Sequence, residues 1–200
     1  MVRGRFGTFE AVVTGIGAAL YAGVGYLTWL GVLGLNFMGV RFWPAVVIPS
    51  TLATLFGPWV GGASAAIGIF LSDMASHGMA LLSLTVGVPA NFLGFYIIGA
   101  LTDRESSVKR LLLANTLGLA VGSIWIGLGL TIWSRFFLLP FHSEMTPLSL
   151  AAGASVAAWT FVTEAPFLYL VVPPLIRAVG RAVGKRARAD AQTLARTSAG

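Results

Sequence analysis

Leu55-Phe56-Gly57-Pro58-Trp59-Val60-Gly61-Gly62 interrupts a long apolar stretch of this chain with a Gly-Pro dipeptide. Proline lacks an amide hydrogen and disfavours helical geometry in the residue before it, so a regular helix arriving at Phe56 does not run on through Pro58. One kinked helix or two tightly turned ones fit the dipeptide alone. Length favours two, because about 31 residues from Trp43 to Asp73 would reach about 46 Å, well beyond one hydrocarbon thickness. The expectation is a pair of short helices at 43–56 and 58–73.

The flanking sequence puts this pair in a membrane. Of the 200 residues 56% are hydrophobic and 10% charged, with mean hydropathy +0.85; a soluble domain carries roughly 25% charged residues. Backbone groups in lipid must pair internally, which leaves helical bundles and closed barrels, and the long unalternating apolar runs are not those of a barrel. Against a need of about 20 apolar residues per span, further helices are expected at 9–30, 80–101, 109–135 and 148–176. The fold class is thus an all-α bundle of six transmembrane helices, with helices 2 and 3 short and broken at Gly57-Pro58. The first run is too long for a signal-peptide core and is kept as a mature helix.

Charge placement gives the orientation. With six spans and the amino end inside, the cytoplasmic segments hold Arg3, Arg5, Arg104, Lys109, Arg110, Arg177, Arg181, Lys185, Arg186, Arg188 and Arg196, eleven of the thirteen Lys and Arg. Only Arg41 and Arg135 fall outside, as the positive-inside rule requires of an N-in, C-in chain. The expected division is a transmembrane domain at 1–177 and a basic cytoplasmic tail at 178–200. Topology and anionic lipid account for that tail without nucleic acid.

Enzymatic machinery is not evident. The chain has no cysteine and shows no zinc-ligand pattern, nucleophile elbow or phosphate loop; no cofactor and no metal are implied. Two small-residue patterns concern packing. Gly61, Ala65 and Gly68 suit close helix approach, and in helix 1 Gly15, Ala18, Ala19, Ala22 and Gly23 form a nearly side-chain-free strip that wants a partner helix.

These residues carry a resemblance. Ala18-Ala19-Leu20-Tyr21-Ala22, Arg41-Phe42-Trp43-Pro44-Ala45 leading to Ile48-Pro49, the Gly57-Pro58 run followed by Asp73, and Val88-Pro89-Ala90-Asn91-Phe92-Leu93-Gly94 resemble the substrate-binding S components of energy-coupling factor (ECF) transporters. The resemblance covers roughly 10–105, and the remainder by helix count. It implies a plasma-membrane subunit that holds a vitamin or similar nutrient near the outer face. It also implies that Gly15, Ala18, Ala19 and Ala22 contact a transmembrane coupling subunit, which sits on two ATPase subunits. The loops match no particular vitamin.

Candidate ligand residues follow from topology, since polar groups away from the basic side of a membrane protein need a reason. Arg41 and Arg135 are either interfacial anchors or a clamp for a carboxylate or phosphate. Asp73 and His77 flank the turn after helix 3, Asn91 lies in helix 4 and Glu164 inside helix 6. Trp43 and Trp133 offer flat faces for stacking, as do Trp125 and Trp159, although membrane tryptophans also serve as interface belts and core. Asp73 also fits a cap or a partner for Arg41, and His77, His142 and Glu144 also read as solvated loop residues. The favoured function is a small-solute-binding subunit of an ATP-driven importer. The alternatives are a stand-alone facilitator or scaffold, and a lipid-acting membrane enzyme that would depend on Glu164.

Overall fold

The computed structural model describes residues 7–32, 36–37, 40–41, 43–140 and 142–181, without the side chains of 32, 36–37 and 40–41. Arg3, Arg5 and the tail from 182 onward lie outside the described residues. Helix α1, Thr8–Leu27, opens at Gly7, whose amide donates to the Glu10 carboxylate at 3.0 Å. It continues into a π-helical turn, Thr28–Val32. Residues Asn36–Phe37 and Val40–Arg41 pair as a short antiparallel ribbon, Asn36 opposite Arg41.

A 3-10 turn, Pro44–Val46, then leads into α2, Val47–Phe56. Gly57 adopts φ 100°, a conformation that favours glycine, and Pro58 begins α3, Pro58–Ser76. Proline suits a first helical position because its missing donor is not needed there. Two helices therefore meet at Gly57-Pro58, folded back so closely that a Cβ on Gly61 would press on the Ala53 backbone, 2.6 Å from its Cα. The second of the pair is longer than expected: α3 has 19 residues and reaches Ser76, because no helix breaker precedes Gly78.

Helix α4, Ala80–Leu101, contains a π-helical stretch, Ser83–Gly87, that ends two residues before Pro89. Pro89 has no amide hydrogen to return to the Thr85 carbonyl, and that carbonyl instead accepts the Trp125 indole N–H at 3.4 Å. Helix α5, Val108–Trp133, is capped by the Ser107 hydroxyl, and α6, Leu150–Leu170, by that of Ser149. Helical residues 172–181 extend α6 beyond a turn at Val171.

Among the described residues, α1, α4, α5 and α6 with its extension are long and apolar enough to cross a membrane; Pro44–Phe56 is a shorter apolar helix. Packing runs α1 on α3, α3 on α4, α4 on α5 and α5 on α6. Small residues permit it: a Cβ on Gly94 would lie 2.9 Å from the Gly118 carbonyl, and one on Gly153 2.8 Å from that of Gly127. The apolar core gathers around Tyr21, Trp43, Phe95 and Leu168, with a smaller cluster of Leu82, Val86, Trp133 and Leu139 under the α5–α6 connection. Large apolar side chains such as Phe9, Leu113, Leu150 and Leu170 point outward, the pattern of a chain whose solvent is lipid.

Candidate ligand-binding site

The end of the bundle where α3 ends and α4 begins encloses a cavity of about 180 Å³, lined by residues of α1, α3, α4, α5 and α6 and by Trp43. A hydrogen-bonded chain runs along its wall. The Trp43 indole N–H donates to the Tyr21 hydroxyl at 2.9 Å, Tyr21 donates to Asn91 Oδ1 at 2.6 Å, and Asn91 Nδ2 donates to the Gly87 carbonyl at 2.9 Å. Phe95 meets Tyr21 edge to face, so the chain is braced by aromatic packing as well.

Nearer the end of α3, Asp73 Oδ2 accepts from the Ser83 hydroxyl at 2.6 Å. Its other oxygen lies 3.6 Å from His77 Nε2. His77 Nδ1 accepts the Met79 amide at 3.1 Å, which leaves the ring proton on Nε2, facing Asp73. The π-helical stretch of α4 thus serves the site twice, through the Ser83 hydroxyl and the Gly87 carbonyl.

Three polar groups in the cavity are left over. The hydroxyls of Ser76 and Ser123 have no hydrogen-bond partner among the described residues, and Ser123 is only 2% exposed. The Glu164 carboxyl group also lines the cavity, and no hydrogen bond or ion pair to it is found among the described residues. An unpaired carboxyl group at membrane depth is costly. Buried polar groups without a partner call for an explanation, and the Thr51 and Ser72 hydroxyls, outside the cavity lining, are in the same position.

Of the ligand residues expected from sequence, Trp43, Asp73, His77, Asn91 and Glu164 converge on this cavity. Trp133 does not; it is buried in the smaller cluster and its indole donates to the Leu138 carbonyl at 3.1 Å. Arg135 is exposed, just beyond the end of α5, and is not part of the lining. The Arg41 backbone sits in the short ribbon, whose second strand lies beside α6; its side chain is outside the described residues. His142, read as a solvated loop residue, is exposed and at the same time lines the cavity.

Tyr21, Ser76, Ser83 and Ser123 were not among the candidates. The signal for Tyr21 is the inward face of α1, where Thr14, Ala18, Tyr21, Gly25 and Thr28 are all buried at helical spacing. That face also corrects the strip on helix 1. Ala18 is 2% exposed and its carbonyl is packed under Gly68 of α3, so it is not on an outer docking surface. Gly15, Ala19 and Gly23 are exposed, with Ala22 half-buried beside them.

The opposite end carries the described cluster of basic residues. Arg104 Nε donates to the Leu55 carbonyl at 3.2 Å and Arg110 Nε to the Leu101 carbonyl at 2.6 Å. Each guanidinium thereby satisfies the free carbonyls at the carboxyl end of a helix, α2 and α4, where the helix dipole favours a cation.

Residues 5–180 fit the family model described as ECF-type riboflavin transporter, S component. Among curated proteins and among solved structures no match is found.

Proposed function

Because the chain belongs to the ECF-type riboflavin transporter S component family, a family of membrane substrate-binding subunits, we propose that its cavity holds riboflavin or a vitamin closely like it. The observation that carries this reading is the cavity itself. Asp73, His77, Asn91 and Glu164, selected for their polarity, meet there with Trp43, and the Ser76 and Ser123 hydroxyls are without partners among the described residues. Its walls of Phe95, Ile69, Val86 and Leu119 suit a flat apolar face, while the unpaired groups suit heteroatoms at a ligand's edge.

We place the chain in the plasma membrane as six spans, α2 and α3 included, with both ends in the cytoplasm. The basic residues at the Arg104 and Arg110 end support that orientation, and the cavity then opens outward. Residues 1–177 form the membrane domain and 178–200 a basic tail. The exposed strip of Gly15, Ala19 and Ala22 is the surface for a transmembrane coupling subunit, itself carried on two ATPase subunits. The subunit binds and delivers its ligand without altering it.

Purified protein in detergent tests the reading directly. Riboflavin is expected to quench tryptophan fluorescence saturably, since Trp43 lines the cavity, and replacing Asn91 with Leu is expected to weaken binding at least tenfold, or about 1.4 kcal/mol. Saturable binding that is indifferent to Asn91 would move the site elsewhere.

A further inference from the structure

Helix α1 forms a seat for the Trp43 side chain. Tyr21 and Gly25, both buried, stand four residues apart and so one turn apart on the same face. The Tyr21 hydroxyl accepts the Trp43 indole N–H at 2.9 Å, and the two rings meet edge to face, 89° apart with 6.2 Å between centroids. At Gly25 the rim of the indole takes the space of a side chain: a Cβ there would lie 2.6 Å from Trp43 Cζ2 and 2.8 Å from Cη2. The indole is thus hydrogen-bonded at its N–H and slotted along its benzo edge.

Trp43 lies between the short ribbon and the 3-10 turn that begins at Pro44, with φ −126° and ψ 76°, outside a helix. An aromatic ring on such a segment must be ordered when a ligand arrives unless something holds it already, and that ordering counts against affinity. A seat formed during folding removes the cost from the binding step. The Tyr21 hydroxyl serves a second cavity residue as well. Its oxygen accepts from Trp43, its single proton goes to Asn91 Oδ1, and Asn91 Nδ2 is turned to the Gly87 carbonyl, which can only accept. One hydroxyl therefore fixes the indole and the way round in which the Asn91 amide stands, and both groups line the cavity.

Resting on the reading of this cavity as the ligand site, we infer that Tyr21 and Gly25 are positioning residues, which act on the ligand by holding the Trp43 indole in its binding arrangement before the ligand enters. Gly25 is the sharper case, because it does not itself line the cavity. The close neighbours of a carbon added there are the Trp43 ring and, at 2.8 Å, Ser72 Oγ; of these two residues only Trp43 lines the cavity.

The test is equilibrium dialysis of riboflavin against the purified full-length protein, with near-ultraviolet circular dichroism of the ligand-free protein as a second readout. Gly25→Ala is expected to weaken binding at least about fivefold in the parent and less than about twofold in a Trp43→Phe background, where the smaller ring no longer fills the slot. The tryptophan band that Trp43→Phe removes is expected to be lost in Gly25→Ala too. An equal loss of binding in both backgrounds overturns the inference, by making Gly25 a general packing residue, and so does parental affinity in the Gly25→Ala protein. Tyr21→Phe deletes an atom instead of adding one and so tests the seat without overpacking. A loss of at least about fivefold with the same band missing supports the inference, and parental affinity overturns it. If the parent itself fails to bind riboflavin, the reading of the cavity fails and the inference with it, a result distinct from any difference between variants.

Discussion

The Tyr21 hydroxyl donates to Asn91 Oδ1 at 2.6 Å and so ties α1 to α4 across the cavity wall. The same oxygen accepts the Trp43 indole N–H, which makes Tyr21 the joint of a three-residue relay. Tyr21→Phe removes one hydroxyl and leaves two buried groups without partners. An unsatisfied buried donor or acceptor costs about 1–3 kcal/mol, so thermal unfolding in detergent is expected to show a clear loss of stability. An unchanged midpoint would mean that the relay carries no energy.

Glu164 is expected to behave in the opposite way. Without a ligand its carboxyl group has no partner among the described residues, so Glu164→Gln leaves the empty protein as stable as the parent or more so. Ligand binding falls, because the group that completes the site is lost. Unfolding curves with and without riboflavin separate the two effects. Equal destabilisation in both conditions would make Glu164 a structural residue.

Close packing of α4 on α5 depends on Gly118, where an added methyl group would run into the Gly94 carbonyl and Ile98. Overpacking of this kind costs about 1–3 kcal/mol. Gly118→Ala is therefore expected to lower stability, and Gly118→Leu to prevent folding. Gly15→Ala is the contrast, since nothing lies within 4 Å of its added carbon. The comparison is read from the yield of monodisperse protein and its unfolding midpoint.

On helix 1 the expected outcomes divide by face. Ala19→Trp is expected to block co-purification with the coupling and ATPase subunits while riboflavin binding by the isolated chain stays within about twofold, a difference of about 0.4 kcal/mol. Ala18→Trp is expected to destabilise the chain itself, because its side chain is buried. Intact assembly by the Ala19→Trp protein would remove the strip as the docking surface.

Topology is checked with reporters fused after Ser107 and beside Glu144. Activity of a cytoplasm-only reporter is expected at the first position and not at the second. Signal at Glu144 would mean that the charge bias has been read the wrong way round.

The helices were legible because lipid makes their apolar runs long, and because Gly57-Pro58 is a local rule that no tertiary contact overrides. Asp73, Asn91 and Glu164 stood out since acids and amides are rare in such runs. Ser76, Ser83 and Ser123 did not, because a membrane-helix serine most often bonds to its own backbone, as Ser155 does to the Ala151 carbonyl. Only the fold shows which hydroxyls are left unpaired. Trp133 and Arg135, also expected to contact ligand, lie outside the lining of this cavity for a related reason. Position near an outer end does not tell which way a side chain turns, and the α5–α6 connection draws Trp133 under itself.

The π-helical stretch of α4 means that the alignment of this site is held partly in a residue count. Its wide turn accommodates more than a regular α-helical turn, so the positions before Pro89 are rotated relative to those after it. Ser83 reaches across to Asp73 from within that stretch, whereas the bond from Asn91 to the Gly87 carbonyl is a local one, four residues back along the helix. Deleting one residue from 83–87 would let α4 revert to an even ladder and would swing its first turns by about 100°. Every side chain type needed for the site would still be present, yet Ser83 would face away from Asp73. Chain length within this one turn is thus as much a determinant of the cavity as the identity of any residue that lines it.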